Sequence, residues 1–501
     1  MFKNRLLLTS VSLIVILIIA IGCNTRQTEK KDSVDIIQVP TPLPVQLLSP
    51  VDTEEVAEED IEERLEPKYI FYVIGDGMGM AHLRIGDLYK KVETGDMSRV
   101  GTWESFECKN IVSAGADSSR GGTMLSTGMA FPSGPIAWDD GIDYTTIMDI
   151  AKSYGFATGV VTQADITDAT PATFLSHSDS RRKNVALAND IFTSNVDFIM
   201  GGGLDSMFSN KTSDYMLDWS NNKVYTDGKH IDAHETLKEN GYTVYLGMEG
   251  LDPFYSEIIH EKTVYAVEEG NLPFNYIRKQ KDNSQEFKNL PELSEIVQKA
   301  IDSLIFDEDG FIIMVEQSTI DDAGHVKTPS FVAAEMGVME DTLITIMDFY
   351  QEHPDDTLVI LTADHETGDH VYNETKFLEA SNIKETLPWD GSIDNVNEFL
   401  RSNFGVQCAE KNLTLSNEYL ANDFFGNEFE NKMCATSSIV VAIEEALSIK
   451  IQTDYHSNQD VPLYATGFGS QSFLTADSIQ DISHILCDIM DWEDILGTPA
   501  Q

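Results

Sequence analysis

Basic residues are scarce in this 501-residue chain: 34 lysines and arginines stand against 83 aspartates and glutamates, a formal net charge of −49. Proteins that bind nucleic acid present a basic patch to the phosphates, and the sequence contains no such patch, so nucleic-acid binding is not expected. The same charge repels anionic substrates at long range. A site for an anion must therefore carry its own local positive charge.

Cysteine is also scarce. The chain has neither a CxxC pair nor a Cys/His spacing typical of a zinc site, and its cysteines are Cys23, Cys108, Cys408, Cys434 and Cys487. A thiolate metal site is therefore not indicated. A disulfide between Cys408 and Cys434 and a set of buried free thiols both stay open, because sequence alone does not fix the pairing.

The N-terminus has the pattern of an export signal. Lys3 and Arg5 precede an apolar run, Leu6–Ile21, and Gly22 stands directly before Cys23. Early cations, an apolar stretch and a small residue before the cleavage point are typical of secretion. The cysteine resembles that of a bacterial lipobox, so we expect residues 1–22 to be removed and Cys23 to carry a lipid anchor at the periplasmic or cell-surface membrane. A retained membrane helix is the alternative, since the run is just long enough to span a bilayer.

Residues 23–66 are expected to form a tether. Four prolines impose extended structure on its first part, and the run from Asp52 to Glu66 is mostly acidic, so it is expected to stay solvated. The rest of the chain predicts a globular domain, because 42% of all residues are hydrophobic and 9% aromatic.

Several short apolar runs predict buried parallel strands, because each is nearly continuous rather than alternating. These runs are Tyr69–Ile74, Ala157–Thr162, Val196–Met200, Phe311–Val315, Thr357–Leu361 and Leu463–Thr466. Helical patterns lie between them, at Thr145–Ser153, Leu293–Leu304 and Ser330–Tyr350. The alternation predicts an α/β fold, a three-layer α/β/α sandwich with a mostly parallel central sheet. Residues 204–295 and 371–455 are more polar and irregular and are expected to be excursions from the sheet.

Acidic, hydroxyl and imidazole side chains follow the predicted strands. Open α/β sheets bind their ligands beyond the carboxyl ends of the strands, so these side chains are expected to meet at one edge. Carboxylates mixed with imidazoles suit zinc, whereas carboxylates with a hydroxyl and water suit magnesium. The candidates are Asp76, Asp168, Thr170, Glu316, Asp321, His325, Asp364, His365 and His456.

The segment DSSRGGTMLSTG, residues 117–128, resembles the nucleophile segment of alkaline phosphatases, in which Asp-Ser opens a helix of small residues. The resemblance continues, in the family's order, through residues 73–79 (VIGDGMG), 168–171 (DATP), 177–181 (HSDSR), 316–325 (EQSTIDDAGH), 363–368 (ADHETG) and His456. It implies a catalytic domain over residues 67–495, with a crown-like excursion around 371–455, and homodimers are common in the family.

The resemblance also implies two zinc ions and one magnesium ion. By the family's pattern, Asp321, His325 and His456 hold the first zinc, and Asp76, Asp364 and His365 hold the second. Asp76 also bridges to magnesium, which Thr170 and Glu316 complete while Asp168 orders its water shell. Ser118 is implied as the nucleophile, with Ser119 as its competitor, and Arg181 as the bidentate clamp on the phosphate.

The sequence departs from the family pattern at Arg120, at the Gly121-Gly122 pair, at Asp322 and after His456, where Ser-Asn-Gln-Asp follows. Arg120 is equally consistent with a substrate contact and with a solvated side chain. The leading hypothesis is metal-dependent hydrolysis of small phosphate monoesters through a phosphoserine. A phosphodiesterase of the same superfamily and a non-catalytic, metal- or partner-binding lipoprotein are the alternatives.

Overall fold

The computed structural model describes residues 66–94, 99–115, 117–208, 216–218, 223–225, 233–247, 250–256, 259–278, 289–327, 329–372 and 449–500. All of them belong to the second of two units, residues 63–501, the first being residues 1–62. The predicted signal 1–22, Cys23 and nearly all of the tether 23–66 lie outside the described residues, as do Cys408, Cys434 and most of the excursion 371–455.

The strands are numbered along the chain. They are β1 (Tyr69–Gly75), β2 (Glu107–Ile111), β3 (Trp138–Asp139), β4 (Ile142–Asp143), β5 (Ala157–Asp165), β6 (Phe198–Gly202), β7 (Met216–Asp218), β8 (Lys223–Tyr225), β9 (Thr243–Leu246), β10 (Thr263–Ala266), β11 (Phe311–Gln317), β12 (Thr357–Thr362), β13 (Glu366–Thr367), β14 (His370–Val371), β15 (Lys450–Ile451), β16 (His456–Ser457) and β17 (Val461–Gly467).

The α-helices are numbered in the same way. They are α1 (Met80–Thr94), α2 (Ser118–Thr127), α3 (Ile147–Ser153), α4 (Ala169–Ala172), α5 (Asn184–Ile191), α6 (Leu204–Phe208), α7 (Ala233–Glu239), α8 (Leu251–Ser256), α9 (Asn275–Arg278), α10 (Leu293–Leu304), α11 (Thr319–His325), α12 (Pro329–Glu352) and α13 (Asp481–Ile489). Among the helices of the described ranges, none is both long enough and apolar enough to cross a bilayer.

The central sheet has nine strands in the order β2-β17-β12-β1-β11-β5-β6-β10-β9. The interior strand β1 is fully buried and pairs in parallel with β11 and β12. Phe71 packs on Phe349 of α12, whereas the next residue, Tyr72, donates a hydrogen bond to Leu125 O of α2. Successive strand residues point to opposite faces, so helices cover both faces of the sheet. This is the predicted three-layer α/β arrangement, and it explains why the strands are continuous apolar runs.

Two details of the sheet differ from the sequence prediction. The run Leu463–Thr466 lies in β17, which is antiparallel to both of its neighbours, β12 and β2, rather than parallel. A strand buried on both faces has the same apolar pattern in either direction, so composition does not reveal this. Residues 204–295 do not all leave the sheet, because β9 and β10 extend it beyond β6. They are short, only four residues each, and escape a search for longer apolar runs.

Candidate active site

Four neighbouring parallel strands, β12, β1, β11 and β5, deliver acidic residues to one edge of the sheet. Asp76 follows β1, Glu316 is the next-to-last residue of β11, and Asp364 comes shortly after β12. Asp168 follows β5 at the start of α4. The carboxyl ends of parallel strands meet at one edge, and the structure brings these side chains together there as the sequence predicted.

Ser118 is the first residue of α2 and is buried. Its Oγ lies 3.1 Å from Nε2 of His365. Ser119 is engaged elsewhere, since its hydroxyl donates to the Asp117 carboxylate and accepts the Gly134 amide at 2.7 Å. Of the two serines, only Ser118 faces the metal-ligand candidates in these contacts, which favours the predicted nucleophile over its competitor.

The buried cluster is Asp76, Asp364 and His365, whose ligand atoms lie close enough to share an ion. Nε2 of His365 is 3.2 Å from Oδ2 of Asp364 and 3.5 Å from Oδ1 of Asp76. Burial, with Asp321 next, raises the pKa of Asp364 to about 7, and burial, with Asp364 next, raises the pKa of Asp76 well above its usual range. Burial also lowers the pKa of His365.

The rim cluster is Asp321, His325 and His456. Asp321 and His325 are four residues apart and share a face of α11, with Nε2 of His325 at 3.2 Å from Oδ2 of Asp321. His456 arrives on β16, which pairs Thr367 with His456. Its Nε2 is 3.1 Å from Nε2 of His325 and 3.6 Å from Oδ1 of Asp321. The His365 and His456 rings stack with centroids 3.8 Å apart, so the two clusters adjoin.

The ring nitrogens of His325 have distinct roles. Nδ1 lies 2.7 Å from the carbonyl oxygen of Asp454 and therefore carries a proton toward it. This leaves Nε2 to face Asp321 and His456, as in a metal-ligating histidine oriented by a backbone carbonyl. Burial opposes the charged imidazole, but Asp321 overrides it and raises the pKa of His325 to about 9 in the metal-free protein.

The predicted magnesium ligands lie beside the buried cluster. Oγ1 of Thr170 is 3.4 Å from Oδ2 of Asp76, and Thr162 Oγ1 donates a hydrogen bond to Glu316 Oε2. Burial raises the pKa of Glu316 well above its usual range. Asp168 accepts a hydrogen bond from Arg181 at 2.9 Å, and its side chain is 35% exposed, so it lies on the exposed side of these ligands.

The donor atoms fit bound cations. In the described part of the chain, Asp76 Oδ1, Asp364 Oδ2 and Glu316 Oε1 are buried and accept no hydrogen bond. Leaving ionised oxygens buried without a partner is costly. Carboxylate oxygens and imidazole nitrogens that face one another are stabilised by a cation between them, and this donor set suits zinc and magnesium.

Arg181 lies between two carboxylates, Asp117 through Nη1 and Asp168 through Nη2. Burial lowers the pKa of this guanidinium, but the two acids outweigh burial and raise it. Burial likewise opposes ionisation of Asp117, yet Arg181 and Ser119 hold its pKa below the usual range. Asp117 and Asp168 thus fix the orientation of the planar Arg181 guanidinium next to Ser118.

Four other residues raised by the sequence have defined surroundings. His177 contacts the Tyr144 carbonyl oxygen at 2.9 Å, which is a structural role. Asp322 accepts a hydrogen bond from Asn271, and burial, with Asp321 next, raises its pKa to about 7. Nε of Arg120 is buried without a hydrogen-bond partner in the described residues. A Cβ at Gly121 would lie 2.6 Å from Cβ of Asp364, so close contact explains this departure in α2.

A further group, His82, Glu366 and His370, resembles a metal site but is already hydrogen-bonded. Glu366 accepts from the amides of Asp369 and His370, from Nδ1 of His370 and from Ser457. Nδ1 of His82 accepts the Gly79 amide at 3.1 Å, which places the proton of the neutral ring on Nε2. No lone pair of His82 is left for a metal, and His370 is hydrogen-bonded to Glu366.

Sequence reasoning missed Thr162 and Thr367 as parts of the site. Thr162 pairs with Glu316 across the β5–β11 ladder, and Thr367 bonds to residues of both clusters. A threonine inside a strand or a short motif has no distinctive pattern, and only the register of neighbouring strands places Thr162 opposite Glu316.

Comparison with known proteins gives one family. Residues 67–491 match the family model described as alkaline phosphatase. Alkaline phosphatase 3 of Bacillus subtilis (strain 168) is 28% identical over 438 residues, covering 81% of this chain and 86% of that protein. The fold is similar to that of alkaline phosphatase from the Antarctic bacterium TAB5, with a TM-score of 0.59 and 24% identity over 85% of this chain and 99% of that chain. A variant of the TAB5 enzyme, with a TM-score of 0.58, 24% identity and the same coverages, has been solved with Mg bound in its M3 site.

Proposed function

This chain belongs to the alkaline phosphatase family and is a phosphatase, and on that premise we propose that it hydrolyses phosphate monoesters through a phosphoserine on Ser118. The observation that carries the proposal is the position of Ser118, whose Oγ is 3.1 Å from His365 at the N-terminus of α2. Ser119, the alternative nucleophile, is bonded to Asp117 and Gly134.

We propose two zinc ions and one magnesium ion as cofactors. The rim cluster and the buried cluster would each hold a zinc, and Asp76, Thr170 and Glu316 would hold magnesium. When bound, such ions lower the pKa of a hydroxyl or a water and stabilise negative charge on the attacking and leaving oxygens. The unpartnered carboxylate oxygens of Asp76, Asp364 and Glu316 support this assignment.

The chain's own residues place the phosphate. Arg181 presents two N–H groups on one plane, which match two phosphate oxygens, and Asp117 and Asp168 hold it in that orientation. The amides at the start of α2 and the helix dipole favour the same anion. Arg181 and these amides supply the local positive charge that a chain of net charge −49 otherwise lacks.

The reaction proceeds in two displacements at phosphorus. The Oγ of Ser118 loses its proton and bonds to phosphorus, and the bond from phosphorus to the ester oxygen breaks, releasing the alcohol. Water then bonds to phosphorus, the bond to Oγ breaks, and inorganic phosphate leaves as the serine hydroxyl regains a proton. Splitting one difficult hydrolysis into two displacements is the advantage of a nucleophilic serine.

Hydrolysis of a chromogenic phosphate monoester at alkaline pH tests the proposal, using protein that starts near residue 67 and is assayed before and after chelation and the return of zinc and magnesium. We expect activity to disappear with the chelator, to return with the metals, and to fall at least about 1,000-fold in Ser118→Ala. Ser119→Ala is the matched control and should retain most of the activity.

No turnover of the monoester by folded, metal-loaded protein would contradict the proposal. Turnover of diesters alone would then support the phosphodiesterase alternative, and metal binding without any turnover would support the binding-lipoprotein alternative.

We also propose that the protein is exported and held at a membrane by a lipid on Cys23. The proposal is supported by the two cations, the apolar run Leu6–Ile21 and the Gly22-Cys23 pair. Fractionation of expressing cells should place the full chain with the membranes, and Cys23→Ala should release it or leave its signal uncut. Retention of residues 1–22 in the wild-type protein would support a membrane helix instead.

A further inference from the structure

Thr367 has a tightly enclosed position between two turns that carry metal-ligand candidates. Its side chain is fully buried, and its amide donates to the Gly77 carbonyl at 3.0 Å. A Cβ at Gly77 would lie 2.9 Å from Oγ1 of Thr367, and one at Gly324 would lie 2.9 Å from its Cγ2. The lack of a Cβ at both glycines therefore leaves room for the Thr367 side chain. Gly77 directly follows Asp76, and Gly324 directly precedes His325.

The Thr367 hydroxyl contacts one residue of each cluster. It bonds to Oδ1 of Asp321 in the rim cluster and lies 3.2 Å from Nδ1 of His365 in the buried cluster. A carboxyl group binds a metal ion only in its deprotonated form, so Asp321 is a carboxylate in the proposed metal-bound state. A carboxylate only accepts, so the single hydroxyl proton of Thr367 is donated to Asp321.

This proton order fixes the tautomer of His365. Since the hydroxyl donates to Asp321, it can only accept from His365, so Nδ1 of His365 carries the ring proton. Nε2 then keeps its lone pair, and it is Nε2 that faces Asp364, Asp76 and Ser118. A hydrogen bond to one ring nitrogen sets the orientation and basicity of the other toward a metal.

We propose that Thr367 is a positioning residue that links the two metal clusters, holding His365 in its metal-binding tautomer while it orients the Asp321 carboxylate. The inference rests on the proposed metal binding at these clusters. One hydroxyl serves both, so its loss weakens ion binding at both positions rather than at one.

Two substitutions separate the hydroxyl from the packing. Thr367→Val keeps the shape of the side chain and removes the hydroxyl, whereas Thr367→Ser keeps the hydroxyl and removes the methyl group that packs on Gly324. If the hydroxyl is the functional part, Ser retains metal binding and Val loses it. If Thr367 only fills space, Val retains it and Ser is the impaired variant.

The experiment titrates zinc into the metal-free wild-type protein and both variants against a competing colorimetric chelator. Thermal unfolding of each metal-free protein confirms that it is folded. We expect Thr367→Val to bind both zinc ions about 10- to 100-fold more weakly, and Thr367→Ser to lie within a few-fold of the wild type. In histidine-labelled protein, ¹⁵N spectra should assign the ring proton of His365 to Nδ1 in the wild type and in Thr367→Ser, with mixed tautomers in Thr367→Val.

Wild-type zinc affinity and an unchanged His365 tautomer in Thr367→Val would overturn the role of Thr367 and leave the proposed function standing. Weakening at only one zinc position would overturn the link between the clusters. Failure of the wild-type protein to bind zinc would overturn the proposed function, and this inference with it.

Discussion

Arg181 shows how a site inside a strongly acidic chain obtains a positive charge that stays in place. It is half-buried between Asp117 and Asp168, each of which accepts from a different terminal nitrogen of the guanidinium. This uses the width of the planar group, which the point charge of a lysine lacks. Asp117 and Asp168 therefore orient the guanidinium that is proposed to bind phosphate, although their negative charges also offset its positive charge.

Arg181→Lys should consequently weaken phosphate binding while leaving the fold intact. Losing one charge-assisted hydrogen bond corresponds to about 1.5–3 kcal/mol, so KM for a monoester and the inhibition constant of inorganic phosphate should rise about 10- to 150-fold. Steady-state kinetics with added phosphate measures both constants. Arg182→Lys, at the neighbouring position, is the control and should behave as the wild type. Unchanged phosphate inhibition in Arg181→Lys would contradict the assigned role.

At the residue scale, the sequence predicted which side chains gather at the sheet edge, but not all of the side chains to which they are hydrogen-bonded. Asp76, Asp364 and His365 follow strands, so their convergence follows from the topology of a parallel sheet. The ion pair between Arg181 and Asp168 and the bond from Thr162 to Glu316 depend on side-chain orientation and strand register. Neither has a local sequence pattern, so the sequence did not predict the contact of Asp168 with Arg181, which leaves the implied role of Asp168 in the magnesium water shell a prediction.

At the element scale, helix α2 depends on close contact rather than on helix propensity. Each glycine in a helix interior costs about 1 kcal/mol relative to alanine, and α2 contains Gly121 and Gly122. The structure gives the reason: a Cβ at Gly121 would lie 2.6 Å from Cβ of Asp364, and one at Gly122 would lie 2.6 Å from Oγ1 of Thr173. The two glycines lower the helix propensity of α2, but they allow the helix that carries Ser118 to pack closely against Asp364.

Gly121→Ala should therefore reduce activity even though alanine favours a helix. Moving Asp364 by a fraction of an ångström misplaces a ligand beside the nucleophile, and displacements of about 1 Å can cost about 100-fold in rate. Assays of kcat and of zinc content measure the effect. Gly270→Ala is the matched control, because a Cβ there meets nothing within 4 Å. Full activity in Gly121→Ala would show that the helix can move away without loss.

Sequence patterns predicted the central strands well, because burial on both faces requires continuous apolar runs, and they predicted α10 and α12 but not the 15-residue α1. Strand direction did not follow, as β17 shows, since its burial pattern is the same in either direction. The short edge strands β9 and β10 gain their place by pairing with each other and with β6. Strand pairing of this kind depends on several segments of the chain at once, so no single segment has a sequence pattern that predicts it.

At the scale of the whole molecule, bound cations and acidic composition are connected. Several carboxylates are gathered at one sheet edge, and burial raises the pKa of Asp76, of Glu316 and, to about 7, of Asp364. A carboxyl group with a raised folded pKa stabilises the fold below its unfolded pKa, near 3.9, and that stability is lost as pH rises through the folded value.

The metal-free protein should accordingly lose stability between about pH 4 and pH 7, and the loss should be smaller with zinc and magnesium bound. Thermal unfolding of chelated and metal-loaded samples at pH 5.5 and pH 8 measures this. The gain in Tm from the metals should be larger at pH 8, and comparing the two samples at each pH cancels the general effect of net charge. Glu316→Gln should raise the Tm of the chelated protein at pH 8, since it removes a carboxyl group whose ionisation burial opposes. An equal or larger metal gain at pH 5.5 would contradict this account.

The central claim is that Ser118 carries the phosphoryl group, and trapping it is the most direct test. Metal-loaded protein is mixed with a phosphate monoester, stopped in acid within a turnover, digested, and the peptide that spans residues 117–128 is sequenced by mass spectrometry. We predict one phosphoryl group on Ser118, absent in Ser118→Ala and present in Ser119→Ala. A phosphoryl group on Ser119, or rapid turnover in Ser118→Ala, would contradict the account.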